Sequence, residues 1–177
     1  MNAGRADALS QALFDFDGKS TGPLEQFAAD HSADANLIAE LCDFAASGDR
    51  NLQAAATWLL KRYGVSGAHL SPSQTETLLS LLIQDTGWLS RIHVLQMMDT
   101  LTVPSSLAES LMEALAAQAV GANTFIRAWS VHGAAVLADQ HPAYRDRFLD
   151  LLAAAEQDEA ASVRARLRRT RQAFDWI

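Results

Sequence analysis

Apolar residues along the chain fall into short stripes of helical period, and the stripes themselves recur. Leu37, Ile38, Leu41, Cys42 and Ala45 follow i, i+1, i+4, i+5, i+8 spacing, the apolar face of one helix. Leu52, Ala55, Ala56, Leu59 and Leu60 mark out a second. Between them, Ser47-Gly48-Asp49-Arg50 supplies a glycine to end the first helix and an aspartate to cap the next. The unit is therefore helix A, tight turn, helix B. Leu41, Leu78, Leu115 and Leu152 stand 37 residues apart, as do Leu52, Leu89, Ile126 and Val163. Two neighbouring columns agree more loosely: Ile38, Thr75, Met112 and Leu149, then Cys42, Leu79, Ala116 and Ala153. The spacing predicts A helices over about 35–46, 72–84, 105–119 and 143–155, and B helices over about 50–63, 87–101, 123–138 and 161–175. Ser71-Pro72-x-Gln74 reads as a cap, a first-turn proline and a capping-box glutamine. Pro104 and Pro142 fall near the starts of the next two A helices.

A single helix pair cannot bury its own apolar face; stacking on the next pair buries it. Residues 35–177 are thus expected to form one repeat array, with units over about 35–70, 71–103, 104–141 and 142–177. Residues 1–34 do not follow the period. Ala8-Leu9 through Leu13-Phe14, then Gly22-Pro23-Leu24-Glu25-Gln26-Phe27, predict one or two short, partly flexible helices capping the first unit.

The opening of the later B helices resembles HEAT repeats, in which a small or acidic cap is followed by a hydrophobic residue and Arg. Here the matching strings are Asn123-Thr124-Phe125-Ile126-Arg127-Ala128-Trp129 and Ala161-Ser162-Val163-Arg164-Ala165-Arg166. The first two units depart from the pattern, with Leu52-Gln53 and Leu89-Ser90 in those places. The resemblance covers about residues 35–175. It implies an all-α, armadillo-like fold: a short right-handed α–α superhelix of about four helix pairs whose B helices line the concave face. It is nearly silent on function, which resides in sites and not in folds.

Composition narrows the picture further. Apolar residues make up 49% of the 177 positions and aromatics only 7%, a globular profile that favours helix over sheet. The formal charge is −7, which disfavours general affinity for nucleic acid. Residues 1–113 carry 6 basic and 14 acidic residues, whereas residues 114–177 carry 8 and 7, so only the C-terminal end could meet a polyanion. The lone Cys42 cannot form an internal disulfide, and no apolar run approaches the ~18 residues of a membrane span. No signal peptide is visible in the first residues, and a cytoplasmic location without membrane contact is expected.

Several strings carry possible chemistry. Gln53, Ser90, Arg127 and Arg164 recur in the first turn of successive B helices; with Arg91 and His132 they form a polar set for gripping a protein or peptide. The competing reading makes that column an ordinary inter-repeat hydrogen-bonding position. Arg164, Arg166, Arg168, Arg169 and Arg171 lie within eight residues, a candidate polyanion-binding helix. The competing reading there is the polar outer face that an end repeat needs for solubility.

Asp15-Phe16-Asp17-Gly18 resembles the nucleophile motif of haloacid-dehalogenase-type phosphatases. It lacks the α/β context and the downstream Lys and acidic pair which that chemistry requires. The four tryptophans invite comparison with HEAT-like DNA-alkylation-repair glycosylases. Arg62, Ile92 and Gly133 stand one turn beyond Trp58, Trp88 and Trp129, where that resemblance would need a carboxylate. Histidines 31, 69, 93, 132 and 141 show no metal-ligand spacing, and no cofactor is implied. His93 and His132, 39 residues apart on B helices, are expected on one face. These readings together predict a non-catalytic protein-interaction scaffold, with nucleic-acid binding through the Arg-rich helix as the alternative.

Overall fold

The computed structural model describes residues 3–65 and 69–177; residues 66–68 of the first expected unit and 1–2 of the expected N-terminal cap lie outside the described residues. Among the described residues the chain is all helical, with no strand. The helices are α1 (Ala3–Phe14), α2 (Gly22–Asp30), α3 (Ala35–Ala45), α4 (Arg50–Arg62), α5 (Pro72–Ile83), α6 (Trp88–Leu95), α7 (Ser105–Ala119), α8 (Thr124–Gln140), α9 (Arg145–Ala155) and α10 (Ala161–Ala173). Single 3-10 turns follow α6 (Met98–Thr100) and precede α9 (Pro142–Tyr144).

Local signals explain the boundaries. Asp49 accepts from the amides of Asn51 (2.8 Å) and Leu52 (3.0 Å), opening α4. Asn123 does the same for Phe125 (3.0 Å) and Ile126 (3.2 Å) at α8. At α5 the capping box closes in both directions: the Gln74 amide donates to Ser71 Oγ (3.3 Å) and the Ser71 amide to Gln74 Oε1 (2.8 Å). Each cap satisfies amides that a helix start otherwise leaves unpaired.

The helices stack in two layers. The A layer runs α3, α5, α7, α9 and the B layer α4, α6, α8, α10, each helix packing on its predecessor and on its own partner. The fold is an all-α solenoid. Leu41, Leu78, Leu115 and Leu152 all lie in the core between the layers, so the period found in the sequence is the period of packing. Some positions depart from the stripes: Leu52 and Leu89 are half-buried where Ile126 and Val163 are buried, and Leu149 is exposed where Ile38, Thr75 and Met112 are buried. At the other end, α1 and α2 pack together and against α4, burying Leu9, Leu13, Phe16, Leu24 and Phe27.

Two B helices end differently from the expectation. The helix predicted over 87–101 stops at Leu95. The chain then tightens into Met98–Thr100, where Thr100 Oγ1 donates to the carbonyls of Val65 (2.9 Å) and Met97 (2.8 Å). That turn lets Leu101 and Val103 enter the core. The last helix stops at Ala173, and the chain beyond it folds back. Trp176 Nε1 donates to Asp139 Oδ1 (2.9 Å) while its ring packs edge-on against Phe148 at 5.4 Å.

Candidate binding surface on the B helices

Half of the column expected to face a partner turns inward, and its two arginines bend back onto turn carbonyls. Gln53 and Ser90 are buried. The Gln53 amide donates to the Ser47 carbonyl in the A–B turn of its own unit. Arg164 repeats that geometry, donating to the carbonyls of Asp158 (2.6 Å) and Glu159 (2.9 Å). Arg127 does the same to Gly121 (3.0 Å) and Ala122 (3.2 Å), and its remaining nitrogens grip Asp158 bidentately at 2.7 and 3.1 Å. The pair raises the Arg127 pKa and lowers that of Asp158, each favouring the partner's charged form. Asp158 also accepts from the amide of Ala160 (2.8 Å), the residue before α10. Arg91 donates to the Gln84 carbonyl (3.1 Å) and to Asp85 (3.3 Å), which Arg50 meets from the preceding unit (3.3 Å). The reading of Gln53, Ser90, Arg91, Arg127 and Arg164 as a ladder aimed at a partner is corrected on this geometry. A long donor in the first turn reaches back to carbonyls that the A–B turn leaves open. Gln53, Arg91, Arg127 and Arg164 close turns and join units, while the Ser90 hydroxyl is buried without a protein partner.

The Arg-rich helix divides by face. Column by column, Thr57, Val94 and Val131 are buried where Arg168 stands exposed; Leu60, Met97 and Ala134 are buried where Arg171 does. On the A layer, buried Ala45, Leu82 and Ala119 give way to Glu156, which pairs with Arg171. Arg168, Arg171 and Glu156 thus occupy positions whose side chains are buried elsewhere in the array. They form a polar end face, as an end repeat requires. Arg164 is spent on its turn. Of the five, Arg166 stacks on Trp129 of the B layer, and Arg169 follows it one helical turn along, exposed at the position that Leu95 and His132 fill as buried residues in earlier units.

That face carries a second polar set, one to two helical turns further along. Buried His93 of α6 lies with Nδ1 3.1 Å from Thr57 Oγ1 of α4, whose hydroxyl donates to the Gln53 (2.8 Å) and Ala54 (3.1 Å) carbonyls. The ring is therefore the donor to Thr57. Burial, with the Lys61 charge nearby, pushes the His93 pKa down to about 3, so the ring is neutral. Lys61, its own pKa lowered by burial, donates to Gln96 Oε1 at 2.9 Å.

One unit later, His132 of α8 meets Thr170 Oγ1 of α10 through Nδ1 (3.1 Å) and both oxygens of Asp99 through Nε2 (3.0 Å each). Thr170 donates to the Arg166 carbonyl (3.1 Å), so His132 faces acceptors at both ring nitrogens. The hydrogen bond from His132 holds the Asp99 carboxyl below the usual range, against its partial burial. Carboxylate, imidazole and hydroxyl stand in the order of a hydrolase triad. The hydroxyl, however, is fully buried and already committed to a backbone carbonyl, so it is not placed to attack a substrate. This set ties the turn after α6 to α8 and α10.

Around it lie aromatic and cationic groups. The Arg166 guanidinium sits 3.6 Å over the Trp129 ring, which meets His132 edge-on at 5.6 Å. Burial and the neighbouring Arg169 lower the Arg166 pKa, and Asp99 opposes them. Further along the row, Trp88 and Phe125 open α6 and α8 at equivalent positions, 37 residues apart, and are 51% and 66% exposed. Sequence reasoning missed Asp99, Thr170 and the Trp129–Arg166 stack. Their separations of 33, 38 and 37 residues lie near the repeat length, which was the signal available.

The other tempting strings resolve locally. Asp17 Oδ1 accepts from the amides of Lys19 (2.9 Å) and Ser20 (2.7 Å), and Gly18 takes φ +82°. Asp15-Phe16-Asp17-Gly18 is thus a turn between α1 and α2, with Phe16 in the core. Among the described residues no group of three or more His, Cys, Asp or Glu side chains is placed to hold a metal ion. No helix there is long and apolar enough to cross a membrane.

No protein-family profile matches this chain, and no curated protein matches it. Among solved structures, the X-ray structure of YibA from Escherichia coli is similar in fold, with a TM-score of 0.54 at 12% identity. The match covers 82% of this chain and 55% of the YibA chain, so this protein spans about half the length of that structure. At that identity the likeness speaks for the helical fold alone.

Proposed function

We propose that this chain is a HEAT-like interaction module that binds a protein or peptide segment across its B-helix face, without catalysis. The observation that carries the reading is the pair of exposed aromatics, Trp88 and Phe125, at equivalent positions of adjacent units. Large apolar rings left in water on one row of a solenoid are the usual anchors of a partner, because covering them removes apolar area from solvent. The cationic pair Arg166 and Arg169 lies on the same layer of helices. The lone, buried Cys42, its thiol pushed up to about 11 by burial, suits a reducing compartment, and the reading places the module in the cytoplasm.

Photo-crosslinking tests it. Benzoylphenylalanine is placed at Phe125, at Trp88 and, as a control, at exposed Glu113 on the A layer. The reading expects a discrete protein adduct from the two B-layer positions and none from 113. Equal adducts at all three positions, or none, refute it. Nucleic acid in the adduct, removed by nuclease, would transfer support to the polyanion reading, which the two unpaired guanidinium groups favour.

A further inference from the structure

Every other cationic side chain of the last helix has an internal partner or an end-face role. Arg164 is held by two carbonyls, Arg171 by Glu156, and Arg168 stands at the polar end. Arg166 and Arg169 differ. Among the described residues neither has a hydrogen-bonded or ion-paired protein acceptor, yet they lie one helical turn apart on α10, and Arg166 is half-buried against Trp129. The nearby carboxylate, Asp99, is taken by His132. Two like charges set side by side, one of them partly desolvated, cost stability that Asp99 offsets only in part. The Trp129 ring holds one guanidinium in place with its N–H edges open, which fits bidentate capture of an incoming oxyanion.

We propose that Arg166 and Arg169, braced by Trp129, anchor an acidic side chain of the peptide bound across the B-helix face, so that the partner segment joins a Glu or Asp to apolar residues that cover Phe125 and Trp88. This rests on the peptide-binding reading above. Charge distribution favours an acidic peptide over a nucleic-acid strand. The chain carries −7 overall, and Arg171 is neutralised by Glu156. A strand with a phosphate at every step would find few free guanidinium groups here, and residues 1–113, with 6 basic and 14 acidic residues, would repel its continuation over the rest of the array. A short acidic segment needs only Arg166 and Arg169.

The test is a selection from a random peptide library on the full chain, with a random single-stranded DNA pool run in parallel. The expected result is enrichment of peptides joining Asp or Glu to aromatic or aliphatic residues. The best peptide, labelled and measured by anisotropy, should bind about tenfold or more weakly to Arg166→Gln and to Arg169→Gln, as loss of a charge-assisted hydrogen-bonded pair predicts. Arg166→Lys should fall between, since it keeps charge but loses the fork. Arg147→Gln, on the A layer, should bind as wild type does. Helical circular dichroism confirms that each variant is folded.

The proposal is overturned by selected peptides without acidic residues, by acidic peptides that bind the Arg166 and Arg169 variants undiminished, by no selected peptide at all, or by DNA recovered in their place through the same arginines. A protein adduct at Phe125 that persists in Arg166→Gln and Arg169→Gln would sink the anchor while leaving the peptide-binding reading intact. Absence of any adduct would remove the reading itself.

Discussion

Acidification is a direct probe of the B-layer packing through His93. The ring is buried, donates to Thr57 across the α4–α6 contact, and has a folded-state pKa of about 3 against an ordinary 6.5. Between those two values the unfolded chain holds a proton that the folded chain does not. Stability is therefore undiminished above about pH 6.5 and falls as pH drops toward 3. At about pH 4.5, some two units below the unfolded value, the cost is about 2–3 kcal/mol at ~1.4 kcal/mol per unit. For a chain of this size that lowers Tm by roughly 5–10 °C.

His93→Asn isolates the effect. Its amide nitrogen stands near the former Nδ1 and can still meet Thr57, but the side chain does not titrate. The variant starts from a lower stability because the smaller side chain leaves space in the core. The quantity read is the loss of stability between about pH 7.5 and about pH 4.5, followed by urea unfolding at each pH. The other titrating groups are common to both proteins and cancel in the comparison. Wild type should lose about 2–3 kcal/mol more than His93→Asn over that interval. Equal losses would mean that His93 is not a neutral, buried ring, and the account of the α4–α6 contact would fail with it.

Three further outcomes follow from the packing. Leu115→Asp places an unpaired carboxylate at a fully buried position between the layers and should unfold the central units; a folded, soluble variant by circular dichroism would contradict the register. Gly133→Leu should lower Tm strongly, because even a Cβ there lies 3.3 Å from Leu115 Cδ2 and 3.4 Å from Leu95 Cδ2; an unchanged Tm would mean that α8 does not pack so closely. Arg127→Ala should lower Tm by freeing Asp158 and the α7–α8 turn, yet leave the Phe125 crosslink intact; loss of the crosslink in a folded variant would restore Arg127 to the binding surface.

Much of the architecture was legible because it is local and periodic. The 37-residue spacing of Leu41, Leu78, Leu115 and Leu152 is a packing distance written along the chain. Asp49, Asn123 and the Ser71–Gln74 box act on amides two or three residues away. Such signals need no knowledge of the rest of the molecule. The end of α6 at Leu95 was not legible, since it depends on Thr100 reaching the Val65 carbonyl in the preceding unit. Helix propensity at Met97 and Met98 gives no hint of that bond.

The candidate site divides along the same line. Sequence alone determined which helices exist, which of their faces are apolar, and that a polar column recurs beside the core. Only the tertiary structure decided where each polar group spends its hydrogen bonds. Arg127 and Arg164 look alike beside Arg166 in the sequence, but the first two find turn carbonyls within reach and the third finds an indole. His93 and His132 likewise share a face and a threonine partner. One sits among apolar neighbours beside a cation, and the other meets Asp99 across the units. Period is set by residues a turn apart on one helix; the fate of a long polar side chain is set by what the neighbouring helix brings within about 3 Å of its end.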